Sequence, residues 1–250
     1  MAWHSSRLAS PHGPSCVTLV PWRRVAISAS STPWRGAAPV STRYRATLPV
    51  AADMPETLDE ARAAALQCRR CGLCETATQT VWGEGDPQAR IMIVGEQPGD
   101  REDLAGRPFV GPAGRLFDAA LAEAEIPRAA VFVTNAVKHF KFAPRGKRRL
   151  HRRPNAGEID RCKWWLGQEL KLVAPAVLVA MGATAVRSLL GRPATISSLR
   201  GEIRRLEGGM PMIVTIHPSW LLRIRDAAER ETERRRFLAD LKRGWGLVGG

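Results

Sequence analysis

Four short uncharged runs constrain the fold of this chain most strongly: Ile91–Gly95, Val131–Asn135, Ala176–Met181 and Met212–Ile216. None alternates apolar with polar residues over its length, so each reads as a strand buried on both faces rather than half-exposed. Helical patterns lie around and between them. Thr57–Gln67 precedes the first strand. Gly114–Glu125 places Leu116, Phe117, Ala120, Leu121 and Ala124 on one face, and Ala156–Val173 carries Ile159, Cys162, Trp165, Leu166 and Leu170. Ala183–Leu190 is ended by Gly191, and a charged helix, Ala227–Arg243, closes the pattern. Strands alternating with helices predict an α/β fold: a three-layer α/β/α sandwich around a central, mostly parallel four-stranded sheet.

In such sheets ligands sit where strands give way to loops at their carboxyl ends. The first strand runs into Gly95-Glu96-Gln97-Pro98-Gly99-Asp100, a turn-forming stretch with two carboxylates. The second ends at Asn135, and the fourth runs into His217-Pro218-Ser219-Trp220. A lone histidine at a strand end is more often structural than catalytic. Glu96, Asn135 and His217 at three strand ends shift that balance, because all three are expected to converge on one crevice. After Asn135 comes a basic segment of Lys138, Lys141, Arg145, Lys147, Arg148, Arg149, Arg152 and Arg153, flanked by His139 and His151. Alone it would read as a solvated loop; at a strand's carboxyl end it reads as a loop facing phosphate.

The chain has 250 residues and a formal charge of +14, which points to a polyanionic partner, nucleic acid before acidic membrane, although an arginine-rich codon bias gives the same excess. No apolar run is long enough to span a membrane. Residues 1–52 contain no Asp or Glu and are rich in Ser, Arg, Pro and Ala. They are expected to be a disordered basic segment, either a transit peptide or the product of a start codon set too early. The folded domain is expected over residues 54–243, and the Gly-rich residues 244–250 as a flexible tail. Of five cysteines, Cys68, Cys71 and Cys74 are bunched, which fits a metal site in a reducing compartment better than a disulfide framework. Cys162 is the natural third ligand. Spacing leaves the fourth open between Cys74 and a histidine such as His139, and it leaves zinc and iron–sulfur open as well.

Taken together, Gly95–Asp100, the stretch from Glu102 to Gly114, Thr134-Asn135-Ala136-Val137-Lys138 and His217-Pro218-Ser219 resemble the uracil-DNA glycosylase superfamily in its iron–sulfur, family 4-like branch. The resemblance covers about residues 60–225. Gln97, Lys138-His139 and the segment Lys147-Arg148-Arg149-Leu150-His151 depart from ordinary family 4 members and look like the UdgX type, which becomes covalently attached to the abasic site it creates. The resemblance implies a 4Fe-4S cluster on Cys68, Cys71, His139 and Cys162, with Cys74 a bystander. It implies uracil-containing DNA as partner, single-stranded by preference, and a monomeric cytoplasmic protein that has no dealings with membranes.

On that reading Phe109 would stack on an extruded uracil and Asn135 would read its polar edge. Gln97 would contact the base or shape the pocket. His217 would donate toward uracil O2, His151 would capture sugar C1′, and Glu96 would orient or deprotonate His151 or stabilise the cationic sugar. Lys147, Arg148, Arg149 and Ser219 would hold DNA. The competing readings are a conventional glycosylase that turns over, and a non-enzymatic nucleic-acid-binding module with a zinc clip.

Overall fold

The computed structural model describes residues 54–248. The expectations placed on residues 1–53, the disordered segment and the two accounts of its origin, lie outside the described residues. The ordered elements are α1 (Leu58–Leu66), β1 (Ile91–Gly95), α2 (Asp100–Ala105), α3 (Pro112–Glu123), β2 (Val131–Asn135), β3 (Phe142–Arg145), β4 (Arg148–His151), α4 (Ala156–Val173), β5 (Val177–Met181), α5 (Ala183–Leu190), β6 (Ile203–Arg205), β7 (Pro211–Thr215) and α6 (Ala227–Gly246).

The main sheet has five strands, not four, in the order β2-β1-β5-β7-β6. The first four are mutually parallel; β6 runs antiparallel to β7, pairing Ile203 with Ile213 and Arg205 with Pro211. The added strand escaped the sequence reading because it is three residues long with two arginines. An edge strand with one partner needs no apolar run. β1, β2 and β5 are buried at every position, as their uncharged sequences require. Alternate residues face opposite layers. Ile91 and Ile93 pack with Phe117 and Leu121 of α3 and Phe237 of α6, while Met92 and Val94 pack with Leu166 of α4 and Val186 of α5. The three-layer α/β/α arrangement therefore stands.

Helix ends follow local chemistry. Thr57 with Glu60 caps α1, and Asn155 with Glu158 caps α4, each by a reciprocal pair of side-chain-to-backbone hydrogen bonds. α1 lies against α4 through Ala61 and Ala65, beside Cys68, Cys71 and Cys162. The expected tail at residues 244–250 is corrected in part: α6 continues through Gly246, and Val248 is 3% exposed against the core. Gly244 tolerates the helix because its missing side chain faces Val179 and Ile213.

The basic segment is a hairpin rather than a loop. β3 and β4 pair antiparallel from Phe142–His151 to Arg145–Arg148. Gly146, at φ 56°, makes the first corner of the two-residue turn, a backbone state that glycine adopts at little cost.

Candidate active site at the carboxyl ends of the strands

A cleft of about 980 Å³ opens over the carboxyl ends of β1, β2, β5 and β7, lined among others by Glu96, Phe109, Asn135, His151, His217 and Ser219. The order β2-β1-β5 means that the chain reverses its direction of strand addition between β1 and β5, and open α/β sheets bind ligands at that switch point.

The loop from Gly99 to Gly111 wraps around Glu102, whose Oε1 accepts the Gly111 N–H at 2.8 Å and holds the start of α3. Phe109 sits on this loop at φ 57°, an uncommon state for a side chain with a ring. Gly114 permits it, since a Cβ there would lie 1.7 Å from the Phe109 carbonyl oxygen. The ring packs 5.3 Å from Phe117 and 6.2 Å from His217, centroid to centroid. Gly95 opens the adjacent space: a Cβ there would come within 2.4 Å of Asn135 Oδ1 and 2.9 Å of Phe109 Cζ. An aromatic face and an amide thus stand side by side over β1.

Asn135 is 3% exposed, and the pairing of β2 with β1 runs on past it, with Ala136 and Val137 donating to the carbonyls of Gly95 and Glu96. Beneath it lies a group that sequence alone misassigned. Lys138, read as one cation of the basic run, is fully buried. Its Nζ reaches Glu169 at 2.5 Å, Thr134 Oγ1 at 2.6 Å and the Asn135 carbonyl at 2.8 Å. Glu169 also accepts from Gly83 N–H and Thr134 Oγ1, so the pair is hydrogen-bonded on most sides, as a buried pair must be. The signal available in sequence was Glu169 itself, a carboxylate on the inward face of an amphipathic helix.

Glu96 stands at the mouth of the cleft. Its Oε1 lies 3.2 Å from His151 Nε2 and its Oε2 accepts from Thr184 Oγ1 at 2.7 Å. Burial opposes ionisation, but the hydrogen bonds from His151 and Thr184, with the fields of His151 and His217, outweigh it and hold the carboxyl at about 2. His151 reaches Glu96 from the end of β4, with its ring 6.3 Å from that of Phe140.

Gln97 was expected to contact base or shape the pocket, and its amide is engaged by the backbone beside the hairpin. Nε2 donates to the carbonyls of Lys141 and Arg152, and Oε1 accepts the Lys141 N–H, which pins both ends of the hairpin.

His217 accepts the Ser219 N–H at Nδ1, 3.2 Å away, so the ring proton sits on Nε2. Burial pushes its pKa down to about 4, with His151 and Arg223 adding to the effect and Glu96 opposing it. The result near neutral pH is an uncharged donor on the cleft wall.

Lys147 and Arg148 are exposed at the hairpin turn, as a phosphate-facing role requires. Arg149 is not: its guanidinium is held by Asp100 and Asp103, each at 2.6 Å, and lies over the rings of Phe140 and Phe142. It staples the hairpin to α2 instead of facing solvent.

The backbone of Lys138 also meets the buried cysteines. Cys68, Cys71 and Cys162 are buried in one apolar cluster with Trp82, Trp165 and Ile159. Trp165 Nε1–H donates to Cys68 Sγ at 3.1 Å and the Lys138 N–H to Cys162 Sγ at 3.2 Å. Burial pushes the Cys162 thiol up to about 12 and the Cys71 thiol up to about 11, the neighbouring sulfurs adding to it. Cys74 is partly exposed and donates to the Cys71 carbonyl. His139 is buried, with Nε2 3.0 Å from Thr80 Oγ1. Among the described residues no three Cys, His, Asp or Glu side chains are arranged to hold a metal ion. No described helix is long and apolar enough to cross a membrane.

The fold agrees with what comparison with known proteins shows. A family model described as the uracil DNA glycosylase superfamily matches residues 82–242, so the chain belongs to that superfamily. It is 38% identical over 175 residues to a type-4 uracil-DNA glycosylase of Thermotoga maritima, an alignment covering 70% of this chain and 85% of that protein. To the type-4 uracil-DNA glycosylase of Archaeoglobus fulgidus it is 34% identical over 174 residues, 67% of this chain and 84% of the other. A type-5 uracil-DNA glycosylase of Pyrobaculum aerophilum is 30% identical over 187 residues, covering 62% and 79%.

Proposed function

We propose that this protein excises uracil from DNA and captures the resulting abasic sugar covalently through His151. Excision rests on membership of the superfamily and on the cleft, where Phe109, Asn135 and His217 offer a stacking face, an amide and a neutral donor. The observation that carries capture is the approach of His151 Nε2 to Glu96 Oε1, 3.2 Å, at the mouth of that cleft.

The target base must leave the stack before any side chain reaches the bond between uracil N1 and deoxyribose C1′. Phe109 then stacks on it, worth roughly 1–3 kcal/mol. Asn135 pairs with its polar edge and rejects cytosine, whose donor and acceptor are exchanged. As the N1–C1′ bond breaks, its electron pair stays with uracil, and His217 Nε2–H donates to O2 as charge develops there. The sugar passes through an oxocarbenium-like state, and the Glu96 carboxylate lies near enough to stabilise it. An imidazole nitrogen of His151 supplies the pair for a new bond to C1′, and the ring proton passes to Glu96. The resulting N-alkyl imidazole is a poor leaving group, so turnover stops. Lys147, Arg148 and Ser219 serve the DNA backbone; single strands, whose bases need no unpairing, are the preferred substrate.

In its chemistry, though not in an arrangement already made for a metal ion, the donor set at the sulfurs fits a 4Fe-4S cluster. Three buried cysteines, Cys68, Cys71 and Cys162, two of them receiving N–H donors, supply the thiolates such clusters use, and His139 would be the fourth ligand. The cluster would act structurally, tying α1 and the segment after β2 to α4. The folded domain accordingly spans residues 54–248, acting as a monomer in the cytoplasm.

The test is a denaturing gel of protein boiled in detergent after exposure to an oligonucleotide bearing one uracil. A shifted band that survives boiling, and is absent with thymine, is expected. Strand breakage in hot alkali without a shift would favour a conventional, turning-over glycosylase.

A further inference from the structure

Glu96 is held at a point that neither the strand-end motifs nor the capture chemistry invokes. Thr184, in the first turn of α5, is 3% exposed and donates its hydroxyl proton to Glu96 Oε2 at 2.7 Å. The other oxygen, Oε1, is the one 3.2 Å from His151 Nε2. The two contacts use different oxygens, so the hydroxyl fixes the rotation of the carboxylate as well as its place.

Topology puts Thr184 there. β1 and β5 are neighbours, so the loop after β1, carrying Glu96, meets the start of α5, which follows β5. Gly182, at φ 92°, turns the chain from β5 into α5, and its N–H donates to the Thr215 carbonyl at 3.0 Å. A Cβ on Gly182 would sit 3.4 Å from His217 Cβ, so α5 begins against the histidine that follows β7 as well. Thr184 therefore belongs to the rigid sheet frame, whereas His151 arrives on a hairpin. Arg153 Nε lies 3.7 Å from Oε2, but its side chain is 68% exposed, so solvent screens it.

We propose that Thr184 is a positioning residue for covalent capture: its hydroxyl locks the Glu96 carboxylate so that one oxygen stays on His151. This rests on the reading of His151 as the capturing group. Without the hydroxyl, the carboxylate is free to turn toward Arg153 and leave the imidazole unsupported. The same hydrogen bond helps keep Glu96 ionised against its burial. Thr184 is not among the residues that line the cleft, so its loss should act on the fate of the sugar more than on release of the base.

The experiment compares wild-type protein with Thr184→Val and Thr184→Ser on a single-uracil oligonucleotide, reading covalent adduct and free abasic sites from the same quenched samples. In Thr184→Val, total uracil release is expected within about threefold of wild type, while the ratio of adduct to free site falls on the order of tenfold, the worth of one hydrogen bond to a charged group. Thr184→Ser, which keeps the hydroxyl, is expected to restore the ratio. A merely structural residue would lower both products together and leave the ratio unmoved. An unchanged ratio in Thr184→Val, or a Thr184→Ser variant as impaired as the valine, overturns the proposal while wild-type adduct still forms. Absence of adduct from wild-type protein is a different failure: it removes the His151 reading, and this inference with it.

Discussion

At the scale of residues, the proposed function has Glu96 and His151 act as a pair, and substitutions separate their work. His151→Ser should release free abasic sites, with excision continuing once water reaches C1′; persistent cross-linking by that variant, read on a denaturing gel, would exclude His151. Glu96→Gln should slow both excision and capture in single-turnover measurements. His217 makes a prediction about pH. Its folded pKa is lowered to about 4 from an ordinary value of 6.5, chiefly by burial. Between those values the unfolded chain takes up a proton that the folded protein does not, so stability falls as pH drops through this window, by at most about 3 kcal/mol. Urea unfolding of His217→Asn against wild type should show a shallower loss between pH 6.5 and 4. Glu96, Asn135 and His217 were legible in sequence because each ends an uncharged run. Thr184 was not, since it carries no motif and meets Glu96 only through the strand order.

At the scale of elements, the β3–β4 hairpin decides where His151 stands. Its signal was present in Gly146 at the turn, but eight cations in the surrounding segment masked the pairing. Two side chains hold it: Gln97 at its open end and Arg149 against α2. Their binding partners lie about 50 residues away in sequence, so no local pattern announces them. Gln97→Leu should free the hairpin, raise amide exchange in residues 142–151, and lower capture more than excision. Equal loss of both would mean that Gln97 serves the base directly. The buried Lys138–Glu169 pair is a second such element. Lys138→Met leaves Glu169 charged and without its counter-ion, at a cost of about 3–5 kcal/mol seen in the thermal midpoint, and Lys138→Met with Glu169→Leu should recover part of it.

At the scale of the whole molecule, the sheet was legible because uncharged runs need burial on both faces, whereas β6, an arginine-bearing edge strand, obeys no such need. The net charge says less about the folded domain than it first implies: six of the arginines behind the +14 lie in residues 1–52. Most of the cations still lie in the folded domain, and replacing Lys147 and Arg148 with alanine should reduce the salt slope of binding by about one each.

The account turns on one bond, between an imidazole nitrogen of His151 and C1′ of the sugar. The most direct test is mass spectrometry of the peptide containing His151 after reaction with a single-uracil oligonucleotide and nuclease digestion, without borohydride. The account predicts a deoxyribose-derived adduct on His151 in that peptide. An unmodified His151 peptide, or an adduct that survives only after borohydride reduction and maps to Lys147, would contradict it.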